Sequence, residues 1–277
     1  MTEDEQMLTS ILDCRRIDLF VDKKALTDQQ ESVYNLMRQR RNNGEPLQYI
    51  LGHCEFMGLK LKVDTRVLIP RPETEIMVDE VLKRLHQMKY KRKLKILDIG
   101  TGSGNIAIAL AKFYDLCHIT AIDQSEEAVN LARENANTHA CADKIEFHHQ
   151  NMTSFFFDQI NNRQRYDVVI SNPPYIKTKD LKDLPADVQY EPKQALDGGE
   201  DGLDFFKFIV EYSQLLLNSN GLVMLECGDD QAPIIGRMFK LFPRYYDLEI
   251  IKDYTQTERI VASKFSYKTE YNSLGIK

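Results

Sequence analysis

The chain has 277 residues, of which 43% are hydrophobic and 28% charged; the formal net charge is −6 and the pI about 5.6. That length holds one large domain or two modest ones with a real core. The acidic balance speaks against gripping nucleic acid through its phosphates, and no apolar run reaches membrane-spanning length.

Residues 1 to about 45 read helical. The start, Met-Thr-Glu-Asp-Glu-Gln, is acidic and has no apolar core of a signal peptide. Met7-Leu8 and Ile11-Leu12 suggest a short first helix. Thr27-Asp28-Gln29-Gln30 has the form of a capping box, with Val33, Leu36 and Met37 following at helical spacing and Asn42-Asn43-Gly44 as the stop. These apolar stripes are most simply the core of a small helical bundle; the functional alternative is a surface that docks a partner, and periodicity does not separate the two. From Gly52 to Val63 the period changes. Phe56, Leu59, Leu61 and Val63, with Gly58 between the halves, predict a hairpin that bridges two domains. Ile69-Pro70-Arg71-Pro72-Glu73-Thr74-Glu75 follows as a stiff stretch, with Thr74 able to cap a helix carrying Met77, Val78, Val81, Leu82 and Leu85. The basic run from Lys89 to Lys95 reads as a solvated link into the next strand.

From Leu94 onward short apolar runs alternate with helical patterns, which predicts a parallel sheet with helices on its faces. The expected strands are Ile96–Ile99, Ile119–Asp123, Ile145–His149, Asp167–Ser171 and Leu222–Glu226, then Glu249–Ile251 and Arg259–Ala262. Helices are expected through Ile106 to Ala111, after Ser125 as cap, from Phe205 to Leu216, and from Asp230 to Phe242. Cys14, Cys54, Cys117, Cys141 and Cys227 have no metal-ligand spacing, and their odd number argues against a disulfide framework. A reducing compartment, the cytoplasm, and no metal are the expectations. His148-His149 reads as strand.

Two stretches carry chemistry. Gly100-Thr101-Gly102-Ser103-Gly104 lies between a strand and a helix, where glycines let the backbone turn sharply and approach a ligand. A dinucleotide fingerprint would place glycine at 105, where this chain has Asn105. The loop therefore fits S-adenosylmethionine, which has no pyrophosphate to cradle. Asp123 ends the second strand, where a carboxylate accepts the ribose hydroxyls. The second stretch is Ser171-Asn172-Pro173-Pro174-Tyr175. Its prolines end the strand abruptly and stiffen the corner. The Asn172 side-chain oxygen and the Pro173 carbonyl can accept both hydrogens of a planar NH2 group, with the Tyr175 ring against its face. The strand-order switch brings loop, Asp123 and Asn172 to one crevice.

With these residues in hand, the chain resembles the release-factor glutamine methyltransferases, the PrmC/HemK family, from about Leu26 to its end. Four features carry the likeness: Ile69 to Glu75, Asp98 to Gly104, Asn172 to Tyr175, and Tyr190-Glu191-Pro192 with Ala195-Leu196 and Gly198-Gly199. The resemblance implies an α/β, Rossmann-like class I methyltransferase sheet at 74–277, a hairpin and linker at 51–73, and a small helical substrate-docking domain at 1–50, shorter than the family's usual one. It implies methyl transfer from S-adenosylmethionine to the side-chain nitrogen of the glutamine in the Gly-Gly-Gln loop of class I peptide chain release factors. Asn172, Pro173 and Tyr175 would be catalytic, Pro174 would join them against substrate, and Met152, beside Asn151, would flank the adenine. Glu191 would shape its loop. Neither direct nucleic-acid binding nor a membrane is expected. Two alternatives stand beside this reading. An adenine-N6 nucleic-acid methyltransferase shares Asn-Pro-Pro-Tyr, but the acidic balance and the Tyr-Glu-Pro loop count against it. A non-catalytic partner subunit would keep the fold alone, and the intact loop, Asp123 and Asn172 count against decay.

Overall fold

The structure, a computed structural model, describes residues 1–21, 25–88 and 91–268. Lys89 and Tyr90 of the basic run, and 269–277 at the end of the expected methyltransferase unit, lie outside the described residues.

The first segment contains α1 (Glu3–Leu12), α2 (Asp18–Val21), α3 (Asp28–Asn42) and α4 (Leu47–Leu51). Both α1 and α3 begin with a complete capping box, Thr2 with Glu5 and Thr27 with Gln30. In each, the threonine side chain accepts from the third helical amide and the Glu or Gln side chain accepts in return from the cap amide. A bundle core is not what α3 provides. Val33 is 42% exposed and Leu36 56%, and no residue of α3 is buried. The helix lies with that stripe outward, and Ile17, Phe20 and Val21 are exposed as well. No helix among the described residues is long and apolar enough to cross a membrane.

The hairpin forms as expected, from β1 (His53–Phe56) and β2 (Leu59–Lys62), paired antiparallel with Phe56 opposite Leu59. Met57 and Gly58 both have positive φ, as a type I′ hairpin turn requires. The next helix, α5 (Pro72–Met88), begins at a proline, whose missing N–H costs nothing in the first turn. Thr74 therefore sits inside that turn and does not cap it, a correction to the expectation. Met77, Val78, Val81, Leu82 and Leu85 are buried.

The rest of the chain alternates as predicted: β3 (Leu94–Ile99), α6 (Asn105–Phe113), β4 (Cys117–Asp123), α7 (Glu126–Thr138), β5 (Ile145–His149), α8 (Met152–Asn161), β6 (Tyr166–Ser171), α9 (Asp204–Ser213), β7 (Leu217–Glu226), α10 (Ala232–Lys240), β8 (Tyr245–Lys252) and β9 (Glu258–Phe265). The pattern does not predict α4 or α8. In α8 the run Phe155-Phe156-Phe157 hides the helical period. Leu216 belongs to the link into β7 and not to a helix, because α9 stops at Ser213. The sheet order is β5-β4-β3-β6-β7-β9-β8. Strands β3 to β7 run parallel, and β9 inserts antiparallel between β7 and β8. The result is a class I methyltransferase sheet with apolar clusters on both faces. The first strand, β3, lies between β4 and β6, so the chain reverses direction across the sheet there. That opens a crevice at the carboxyl ends of these strands.

Candidate active site

A cavity of about 370 Å³ opens in that crevice, a size typical of small-molecule sites. Its wall includes Gly100, Gly102, Asp123, Met152, Asn172, Pro173 and Pro174, each expected in the site. Residues the sequence reading did not single out, Gln194, Phe205 and Phe208 among them, line it too.

The glycine loop continues β3. Gly100 has φ +71° and Gly102 φ +52°, and a Cβ on either would meet nothing within 4 Å. Such backbone favours glycine, and the open space beside it is room for a ligand. Thr101 and Ser103 turn the other way. Both are buried, and the Thr101 hydroxyl donates to Asp98 Oδ2 at 2.7 Å. Gly104 precedes α6, and a Cβ there would lie 2.9 Å from Ile108 Cδ1. Thr101, Ser103 and Gly104 thus stand behind the wall and set the loop's shape. Burial pushes the Asp98 carboxyl up to about 7, the nearby Asp123 charge adds to the rise, and the Thr101 hydroxyl opposes it.

Asp123 ends β4. Its Oδ2 accepts from Gly102 N and its Oδ1 from Ser125 N, both at 2.9 Å. A carboxylate has about four acceptor sites, so these backbone amides leave acceptor capacity for hydroxyls from the cavity. Burial holds its pKa above the ordinary carboxylate value, opposed by those backbone N–H groups. Ser125 caps α7 as expected, accepting from Ala128 N at 3.2 Å. Asn151 caps α8 through Thr153 N at 2.9 Å, which brings Met152 into the cavity wall. The cavity, the open glycine backbone and a carboxylate with spare acceptors fit the adenosine of S-adenosylmethionine.

At the end of β6, Asn172 and Pro173 reach the same cavity. The Asn172 Nδ2 donates to Glu226 Oε1 at 2.8 Å and to Thr74 Oγ1 at 3.1 Å. Pro174 joins the wall, while the Tyr175 ring packs behind it, where a Cβ on Gly228 would come 3.0 Å from Tyr175 Cδ2. Burial pushes the Tyr175 hydroxyl up to about 12.

Three further residues hold the site from outside, and local sequence pattern gave no sign of their partners. Arg71 Nη2 meets Glu191 Oε1 at 2.6 Å, joining the proline-rich stretch to the Tyr190-Glu191-Pro192 loop. Burial raises the Glu191 pKa, and the Arg71 charge and hydrogen bond pull against it. Tyr190 donates to the Asn43 carbonyl at 3.0 Å, so the same loop touches the end of α3. Asn135, buried in α7, donates to the carbonyls of Lys62 at 3.0 Å and Ser103 at 2.9 Å. It thereby ties the hairpin to the glycine loop. His148 and His149 are strand residues, as read, and no group of metal-ligating side chains occurs among the described residues.

Comparison with known proteins follows the same lines. Residues 2–52 match the PrmC N-terminal domain, and 76–198 match the Methyltransferase small domain. The chain is 36% identical over 260 residues to a protein of Thermodesulfovibrio yellowstonii named release factor glutamine methyltransferase, covering 94% of this chain and 90% of that one. It is 40% identical over 239 residues to a protein of the same name from Geobacter sulfurreducens, covering 86% and 80%. The crystal structure of a methyltransferase from Pyrococcus furiosus superposes with a TM-score of 0.55 at 20% identity, covering 84% of this chain and 98% of that one, a likeness of fold.

Proposed function

The chain belongs to the release factor glutamine methyltransferase family, and we propose that it methylates the side-chain nitrogen, N5, of the glutamine in the Gly-Gly-Gln loop of class I peptide chain release factors. The methyl donor is S-adenosylmethionine. The observation that carries the reading is that Asn172 and Pro173 share a cavity wall with Gly100, Gly102 and Asp123. The wall at Gly100, Gly102 and Asp123 suits an adenosine, and the wall at Asn172 and Pro173 offers acceptors for an amide.

The donor supplies a methyl group already activated on a positively charged sulfur. An amide nitrogen is a poor nucleophile because its lone pair is delocalised. The protein's task is therefore alignment and electrostatics. Gly100 and Gly102 admit the donor close to the backbone, Asp123 accepts ribose hydroxyls, and Met152 packs beside the base. The Asn172 Oδ1 and the Pro173 carbonyl accept the two N–H groups of the substrate glutamine. Held this way, the nitrogen is fixed in line to bond the methyl carbon as that carbon's bond to sulfur breaks, which would leave S-adenosylhomocysteine and release one N–H proton to water. Both oxygens also face the positive charge that grows on it, so they act most strongly in the transition state. Tyr175 stiffens the corner from behind. Glu191, paired with Arg71, holds the Tyr190-to-Pro192 loop that closes one side of the cavity.

We divide the chain at 1–50, 51–73 and 74–277, and assign docking of the factor to the first part. The outward stripe of Val33 and Leu36 supports that role. A translation factor as substrate implies the cytoplasm, with neither nucleic acid nor membrane as a direct partner.

The test offers labelled donor with release factor, with DNA and with RNA. Label entering only the Gly-Gly-Gln glutamine is expected. Label in DNA or RNA would replace this reading with an adenine methyltransferase, and no label anywhere would leave a non-catalytic partner.

A further inference from the structure

An asparagine can show either its NH2 or its carbonyl to a cavity, and the neighbours of Asn172 decide which. A charged carboxylate only accepts hydrogen bonds, and the Thr74 hydroxyl gives its own hydrogen to Glu226, so the group facing Glu226 Oε1 at 2.8 Å is the NH2. Its second hydrogen goes to Thr74 Oγ1 at 3.1 Å. The reversed amide would set its oxygen against the oxygens of Glu226 and Thr74 with no hydrogen between them, in a dry place. With both hydrogens taken behind the wall, Oδ1 is the atom left to the cavity.

We propose that Glu226 and Thr74 are positioning residues for Asn172, fixing its carbonyl oxygen toward the substrate amide and strengthening it as an acceptor. This rests on the reading of Asn172 as an acceptor for the glutamine amide. The three groups come from three elements: Thr74 from the first turn of α5, Asn172 from the end of β6, and Glu226 from the end of β7. Ser171 lies opposite Leu225 in the parallel ladder, which brings the residues that follow side by side. Thr74 is 1% exposed and Glu226 2%. Enclosing a carboxylate is costly, and Val223, Met224 and Leu225 beside it show that the buried end of the strand otherwise takes apolar residues. Such a local violation marks a functional position. A negative Glu226 draws the Asn172 N–H and, through amide resonance, shifts electron density onto Oδ1. Chains of hydrogen bonds in a low-dielectric site reinforce one another in this way.

Charge state links this device to pH. Burial pushes the Glu226 carboxyl up to about 7, and Glu73 adds to the rise; the Thr74 hydroxyl and the guanidiniums of Arg259 and Arg71 oppose it. Cys227 and Tyr175, also beside it, are both pushed up to about 12 by burial and stay neutral there. Glu226 therefore gains its charge near neutrality, and the polarisation of Asn172 grows with pH across that range.

The experiment measures kcat and KM for methylation of a Gly-Gly-Gln release factor from below to above neutral pH. It compares wild type with Asn172→Ala, Glu226→Ala, Glu226→Gln and Thr74→Val, with donor affinity by calorimetry on each. Glu226→Ala and Thr74→Val should lower kcat about 10–100-fold, the size typical of losing a partner that orients a functional side chain. KM and donor affinity should hold. Glu226→Gln offers the same accepting oxygen without the charge. It should recover much of the loss, and it should lack the rise of kcat through neutrality that wild type shows. If Asn172→Ala is slow while Glu226→Ala and Thr74→Val keep the wild-type kcat, the positioning role is wrong, and a wild-type pH profile in Glu226→Gln would overturn the polarisation by its charge. If Asn172→Ala is itself as fast as wild type, the reading of Asn172 fails instead. Should Glu226→Ala not fold, the isosteric Glu226→Gln decides by its pH profile.

Discussion

Asn172 and Glu226 are 54 residues apart in the chain, and their side chains meet at 2.8 Å, the amide nitrogen donating to the carboxylate. The two sit at the ends of neighbouring parallel strands. The contact sets which atom of Asn172 faces the cavity, and so ties a strand end to the chemistry assigned to it.

Replacing Asn172 with Ala should lower kcat by about 10²–10³, as removal of one preorganised polar group does. Donor affinity should change little, because Gly100, Gly102 and Asp123 stay in place. Single-turnover methylation at saturating donor is the measurement. Equal rates would reduce Asn172 to a residue that ends a strand.

Asp123→Ala should weaken donor binding. Each charge-assisted hydrogen bond lost costs roughly 1.5–3 kcal/mol. The structure adds a second consequence, because Asp123 also holds the Gly102 and Ser125 amides. Faster amide exchange at 100–104 should accompany the loss of affinity. Calorimetry giving wild-type affinity in a folded variant would remove Asp123 from the ribose site.

The Arg71–Glu191 pair should behave as a buried link. Arg71→Met leaves the enclosed Glu191 carboxylate without its counter-charge, and the midpoint of denaturant unfolding should fall by the equivalent of about 1–3 kcal/mol. Adding Glu191→Leu should return much of that loss, since removing both partners of a buried pair is often close to neutral. No recovery in the double variant would mean that Glu191 holds its loop by other contacts.

Stability should depend on pH through Asp98. Its folded pKa, about 7, lies above the unfolded value, so the native state holds the proton more tightly between the two. That contribution is complete below the unfolded carboxylate pKa of about 4 and is lost as pH rises through the folded value. Asp98→Asn removes this titration while keeping an acceptor for Thr101. Without donor, its Tm should fall less than that of wild type between about pH 5 and 8. Glu226 shifts in the same direction, so the slope should shrink and not vanish. An unchanged slope would mean that Asp98 is ionised throughout.

The outward stripe of α3 gives a test of docking. Leu36, 56% exposed among the described residues, replaced by Asp should leave Tm and donor affinity at wild-type values, because little apolar burial is lost with it. KM for the release factor should rise. Methylation of a short Gly-Gly-Gln peptide, too small to reach α3, should be unaffected. An unchanged KM for the whole factor would move docking elsewhere.

Local signals in the sequence were enough for most elements. The Thr27–Gln30 box, the Ser125 cap, the Met57-Gly58 turn and the alternation of β3 to β7 each depend on residues within a few positions of one another. The glycine loop, Asp123 and Asn172 to Tyr175 were legible for the same reason: each is a short segment at a strand end, where backbone chemistry narrows the choices. What the sequence left open depends on which distant surface arrives. The spacing of Val33 and Leu36 is that of a buried stripe, yet both are exposed among the described residues. Thr74 has the form of a helix cap, but α5 begins at Pro72, which frees its hydroxyl for Asn172. The insertion of β9 between β7 and β8 is a pairing choice that neither strand's own pattern encodes. The direction of the Asn172 amide is the clearest case. Its two ends are alike in size and shape, so only a carboxylate at residue 226 and a hydroxyl at residue 74, brought together by folding, could choose between them.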